Sequence, residues 1–75
     1  MDTNHVDELT RELARIVGPG FDMGIVGRVR QIGEELNDTG GMSLMIETSM
    51  KASALNPRVR GFLGKHWDGI GDWVD

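Results

Sequence analysis

The chain reads as an all-α fold, four short helices around one small core with a docked, tryptophan-containing C-terminal tail. Three observations predict it. Apolar residues recur at helical spacing in four successive stretches. Clusters of Gly, Pro, Asn and Asp separate those stretches, and no apolar-polar alternation runs long enough for a strand.

From Asn4 to Val17, the residues Val6, Leu9, Leu13, Ile16 and Val17 fall within about a quarter of a helical wheel, with charges opposite. Asn4 or Thr3 can cap this helix, Glu8 with Arg11 and Glu12 with Arg15 support its outer face, and Gly18-Pro19 ends it. Asp22 caps the second helix, whose stripe is Ile25, Val29, Ile32 and Leu36, with Val26 and Gly33 at its edge; Asn37-Asp38-Thr39-Gly40-Gly41 stops it. The third, Met42 to about Ala54, carries Met42, Met45, Ile46 and Met50 on one face and Leu44 and Leu55 on the other. It is expected to be covered on two sides and to be the most buried helix. Asn56-Pro57 starts the fourth, a cap followed by proline at the first helical position, and Val59, Phe62, Leu63, Trp67 and Ile70 share its face. Asp68-Gly69 breaks it, and Ile70 to Val74 folds back as a turn or short helix.

The tail from Lys65 to Asp75 holds both tryptophans of a chain with only 2 Trp, 2 Phe and no Tyr. Exposed indoles invite aggregation, so this tail is expected to dock on the body or on a partner. Gly69 and Gly71 give the backbone its freedom to reverse between Trp67 and Trp73.

Seventy-five residues are expected to form a single helical domain, residues 1–75, with a small core. The absence of cysteine fits a reducing cytoplasm, and neither a leader-like start nor a membrane span is legible. The formal net charge of −4 disfavours polyanion partners. Lys51, Arg58, Arg60 and Lys65 nevertheless form a basic segment with no acid between Thr48 and Trp67.

Eleven glycines are about twice ordinary usage. Gly24, Gly27, Gly33, Gly61 and Gly64 fall inside predicted helices, where each costs up to about 1 kcal/mol against alanine. Close backbone approach would explain them, within the fold or across an interface. Gly24 and Gly27 project away from the apolar stripe as a bare notch.

Motifs that could carry chemistry fail on context. The Gly18-x-Gly20-x-x-x-Gly24-x-x-Gly27 run follows a helix, whereas a dinucleotide loop follows a strand, so no cofactor is expected. Arg60-Gly61-Phe62-Leu63-Gly64-Lys65 offers a G-x-x-G loop flanked by basic residues, where phosphate could approach, but a solvated basic face accounts for it as well. Glu34, Glu35 and Asp38 lack calcium-loop spacing, no serine sits in a nucleophile elbow, and His66 reads as a packing residue beside Trp67. Met42, Met45 and Met50 suit core filling first and an adaptable partner groove second.

The stretch Ile32-Gly33-x-x-Leu36-x-x-x-Gly40-Gly41-x-x-Leu44-Met45 and the segment Trp67-Asp68-Gly69-Ile70-Gly71-Asp72-Trp73 resemble small uncharacterised bacterial proteins ending in W-x-G-I-G-x-W. The resemblance implies a bacterial origin and a docked tail, and brings no activity with it. The expected function is a non-catalytic protein-interaction or homo-oligomerising module, with Gly24, Gly27, Leu44, Met45 and Trp73 as partner-facing residues. The alternative is a nucleic-acid-binding accessory protein in which Lys51, Arg58, Arg60 and Lys65 meet phosphate.

Overall fold

A computed structural model of the chain describes residues 3–18 and 22–73, with Thr3 and Asn4 described by their backbone alone. The capping side chains of Thr3 and Asn4, the proline of the expected Gly18-Pro19 stop and the tail residues Val74 and Asp75 fall outside what is described. Every regular element is helical: α1 spans Thr3–Ile16, α2 Met23–Leu55 and α3 Arg58–His66, and α1 and α3 both pack on α2.

The α1 stripe behaves as its periodicity demands, with Val6, Leu9, Leu13 and Val17 buried. Thr10 is buried among them because its hydroxyl donates to the Val6 carbonyl at 2.8 Å. Glu12 looks across to α2 more than along its own helix: Arg28 grips it with Nε to Oε2 at 2.5 Å and Nη2 to Oε1 at 2.8 Å. That paired hydrogen bond holds the Glu12 carboxyl below its ordinary value of 4.5, and Arg15 adds only a lesser favourable charge.

Among the described residues there are three helical spans where four helices were expected, because the long span joins two of them. The break expected at Asn37–Gly41 falls at Gly41, where φ is 68° and ψ is −161°, and a second helix runs on from it to Leu55 within the α2 span. The two expected helices thus meet at a kink. Only glycine adopts that conformation readily. Gly40 is needed for a different reason, since a Cβ there would stand 2.7 Å from that of Leu44, whose side chain folds over it.

The second half of α2 is also less covered than expected. It buries Leu44, Met45, Thr48 and Ala52, while Ile46, Met50 and Leu55 stay exposed. With α1 and α3 as its packing partners, this half is covered on one side only. Asp22 caps the start of α2 as expected, accepting from the Gly24 and Ile25 amides.

Asn56 sits where three elements meet. Its Nδ2 donates to the carbonyls of Ala14 and Val17 at 3.0 and 2.8 Å, and its Oδ1 accepts the Arg58 amide at 3.2 Å. The end of α1 and the start of α3 therefore share one side chain. At the far end of α3, Arg30 donates to the carbonyls of His66 and Asp68, groups the helix itself cannot satisfy.

Trp67 is fully buried, and its place explains Gly33. The indole lies against α2 so closely that a Cβ on Gly33 would stand 2.5 Å from Nε1, which donates to the Val29 carbonyl at 2.7 Å. Gly33→Ala should therefore destabilise the fold by about 2 kcal/mol, because displacing a buried indole outweighs the helix propensity gained. Gly27→Ala meets open space and should instead stabilise by about 0.5 to 1 kcal/mol. Urea unfolding of both variants checks the sign of each change.

The Glu12–Arg28 pair predicts a pH dependence. A carboxyl whose folded value lies below its unfolded one stabilises the fold above the unfolded value, and that gain is lost as pH falls through the folded value. With both side chains partly in water, Glu12→Gln should cost about 1 kcal/mol at neutral pH. Unfolding curves of parent and variant should converge as pH falls from the ordinary carboxylate value through the lower folded one.

Candidate functional site

Between the second half of α2 and α3 runs a groove of about 510 Å³, open to solvent. Helical spacing builds both walls. Ile46, Ser49, Met50 and Ser53 recur at i, i+3, i+4 and i+7 along α2, while Arg60 and Gly64 stand one turn apart on α3. Trp73 closes one side.

The tail turn sets the position of Trp73. Gly69 and Gly71 take φ values of 91° and 57°, which lets the Ile70 amide bond the Trp67 carbonyl and the Trp73 amide bond the Ile70 carbonyl, each at 3.0 Å. The Asn37 side chain packs against Gly71 where a Cβ would otherwise sit. Trp73 then meets Trp67 edge to face, centroids 5.1 Å apart and planes at 87°, and its Nε1 donates to the Gly64 carbonyl at 3.2 Å. The expected docked tail is thus observed through Trp73, which remains half-buried with one side toward the groove.

The groove is apolar with one charge. Met50 is 67% exposed and Ile46 42%, unusual values for adjacent large apolar side chains on one helix face. Among the described residues Arg60 is the only charged one in the lining, and it has no ion-pair or hydrogen-bond partner there. Ser49 is satisfied by the Ile46 carbonyl at 2.7 Å, whereas the buried Ser53 hydroxyl has no partner among the described residues.

The residues expected to face a partner separate. Trp73 lines the groove, but Leu44 and Met45 point into the chain's own core, 6% and 0% exposed, and have no surface left to offer. Gly24 and Gly27 are exposed at the opposite end of α2. The methionine face divides likewise, Met45 in the core and Met50 outside, because the flank of α2 carrying Ile46 and Met50 lies beyond the reach of α3.

The basic residues do not form one patch either. Arg60 enters the groove, Arg58 and Lys65 are exposed outside its lining, and Lys51 pairs with Glu47 at 3.1 Å. Gly61 is exposed with open space above it, and nothing in the structure explains a glycine there. His66 packs beside Phe62, ring centroids 4.4 Å apart.

A second, more polar depression lies among His5, Arg28, Gln31, Glu34, Glu35, Asp38 and Thr39. Two of its charged side chains are engaged: His5 Nε2 meets Glu35 Oε1 at 2.9 Å, and Arg28 holds Glu12 and bonds Gln31. Among the described residues no three His, Asp or Glu side chains converge as a metal site would require. No helix among them is long and apolar enough to cross a membrane.

No protein family, curated protein or solved structure matches the chain.

Ser53→Ala should raise the unfolding free energy by about 0.5 to 1 kcal/mol, since it removes an orphaned hydroxyl and improves helix propensity. Thermal unfolding followed by calorimetry reads it directly. A loss of stability would mean that the hydroxyl is bonded in solution.

Proposed function

We propose that this chain is a non-catalytic protein-interaction module whose docking surface is the groove between the second half of α2 and α3. The observation that carries this reading is the joint exposure of Ile46 and Met50 beside the half-buried Trp73. Apolar side chains left uncovered on a small helical body, next to an aromatic anchor, have the composition of an interface core. Methionine adds adaptability, since its unbranched thioether repacks at little cost. The docked partner is a second copy or another protein. The absence of cysteine supports a reducing, cytoplasmic setting.

Nucleic-acid binding has thinner support. Of the four bases expected to meet phosphate, Lys51 is engaged by Glu47 and Arg60 faces an apolar groove, leaving Arg58 and Lys65 on the surface of an acidic chain.

Met50→Asp tests the reading. Because the side chain is exposed, the variant should keep its stability within about 0.5 kcal/mol. It should lose self-association in sedimentation, if the parent shows any, and lose binding of an uncharged amphipathic helix measured by calorimetry. A variant that associates and binds like the parent would put docking elsewhere on the molecule.

A further inference from the structure

We infer that the groove accepts an acidic amphipathic helix of another protein, its apolar face on Ile46, Met50 and Trp73 and one carboxylate on the Arg60 guanidinium. This rests on the groove being a docking surface and names its occupant. Three observations carry it.

The shape comes from two helix flanks. Ridges at i, i+3, i+4 and i+7 on α2 and at i, i+4 on α3 border a trough running alongside both helices, and a third helix fills such a trough by the same ridge-and-groove packing that holds α1 and α3 to α2. The aromatic anchor stands on its margin.

Among the described residues the charge is single and unanswered. The sequence has no acid between Thr48 and Trp67, and Glu47, on the adjoining face of α2, is engaged by Lys51. By contrast Arg28 and Arg30, which hold the fold together, are bonded to Glu12 and to the carbonyls of His66 and Asp68. Arg60 is exposed in the free chain, and a docked apolar helix that covers it would reduce solvent screening, so a carboxylate delivered with that helix gains more than at an open surface.

A second copy fits poorly. In a two-fold pair the same patch faces itself, which would bring Arg60 and the basic 51–65 segment toward their own equivalents. The acids Glu34, Glu35 and Asp38 sit in the polar depression away from the exposed Ile46 and Met50, and Glu47, which adjoins those two, is engaged by Lys51.

The test uses the full chain and three synthetic helices of about four turns, identical in a leucine face and differing only in flanking Glu, Gln or Lys. Binding is read by calorimetry and by the two indole N–H resonances. The Glu peptide should bind about tenfold more tightly than the Gln peptide, and the Lys peptide more weakly than both. Trp73 should shift while the buried Trp67 stays in place. Arg60→Gln should remove the preference for Glu, and Arg58→Gln, outside the groove, should keep it.

Equal affinities for the three peptides, or an equal effect of Arg58→Gln, would overturn the acidic occupant while leaving the docking surface intact. No binding of any peptide would overturn both. Self-association of the unliganded chain that shifts Trp73 would give the groove to a second copy and overturn the inference.

Discussion

An indole can reach the backbone of an α-helix only where that helix lacks a side chain, and in this chain the place is Gly33. The Val29 carbonyl already accepts the helical bond due to it from Gly33, and the indole Nε1 of Trp67 takes its remaining lone pair. Much follows from that contact. It brings the end of α3 onto α2, where the neighbouring Arg30 collects the carbonyls of His66 and Asp68. It also gives Trp73 a fixed edge to pack on, and Trp73 in turn closes one side of the groove. A fold-stabilising contact and a surface feature are thus two ends of the same short segment.

The helical class and the buried stripes of α1 and the first half of α2 are legible in the sequence because a one-sided apolar pattern admits one packing. Val6, Leu9 and Leu13, then Val29, Ile32 and Leu36, have only one face to bury. The reversal at Gly69 and Gly71 is legible for a similar reason, since two large indoles so close in sequence both need cover. The second half of α2 is harder. Its apolar residues surround the helix, so periodicity cannot rank Leu44 against Ile46 or Met45 against Met50. Only the position of α3 does, and that position depends on Trp67 and Gly33, 34 residues apart in sequence. The Gly40-Gly41 pair marks the break where it was expected, but the two helices on either side meet directly at Gly41 instead of being separated by a loop.

The electrostatics divide the same way. On α1 and the first half of α2 two contacts cross between helices, the ion pair of Glu12 with Arg28 and the hydrogen bond of His5 with Glu35. The C-terminal side keeps its apolar flank and its guanidinium in the open. Where a charge lies beside exposed apolar side chains is a more informative guide to contact than the net charge, which averages such places away.

Asn56 gives the fold a property its helices alone would lack. Helix ends ordinarily fray independently, each losing a turn to solvent without disturbing its neighbours. Here the exit of α1 and the entrance of α3 draw on opposite ends of one amide, with α2 ending immediately before it. Loosening either end strands the hydrogen-bonding groups of the other. Three termini therefore open together or not at all, and this corner of a small protein behaves as a single cooperative latch.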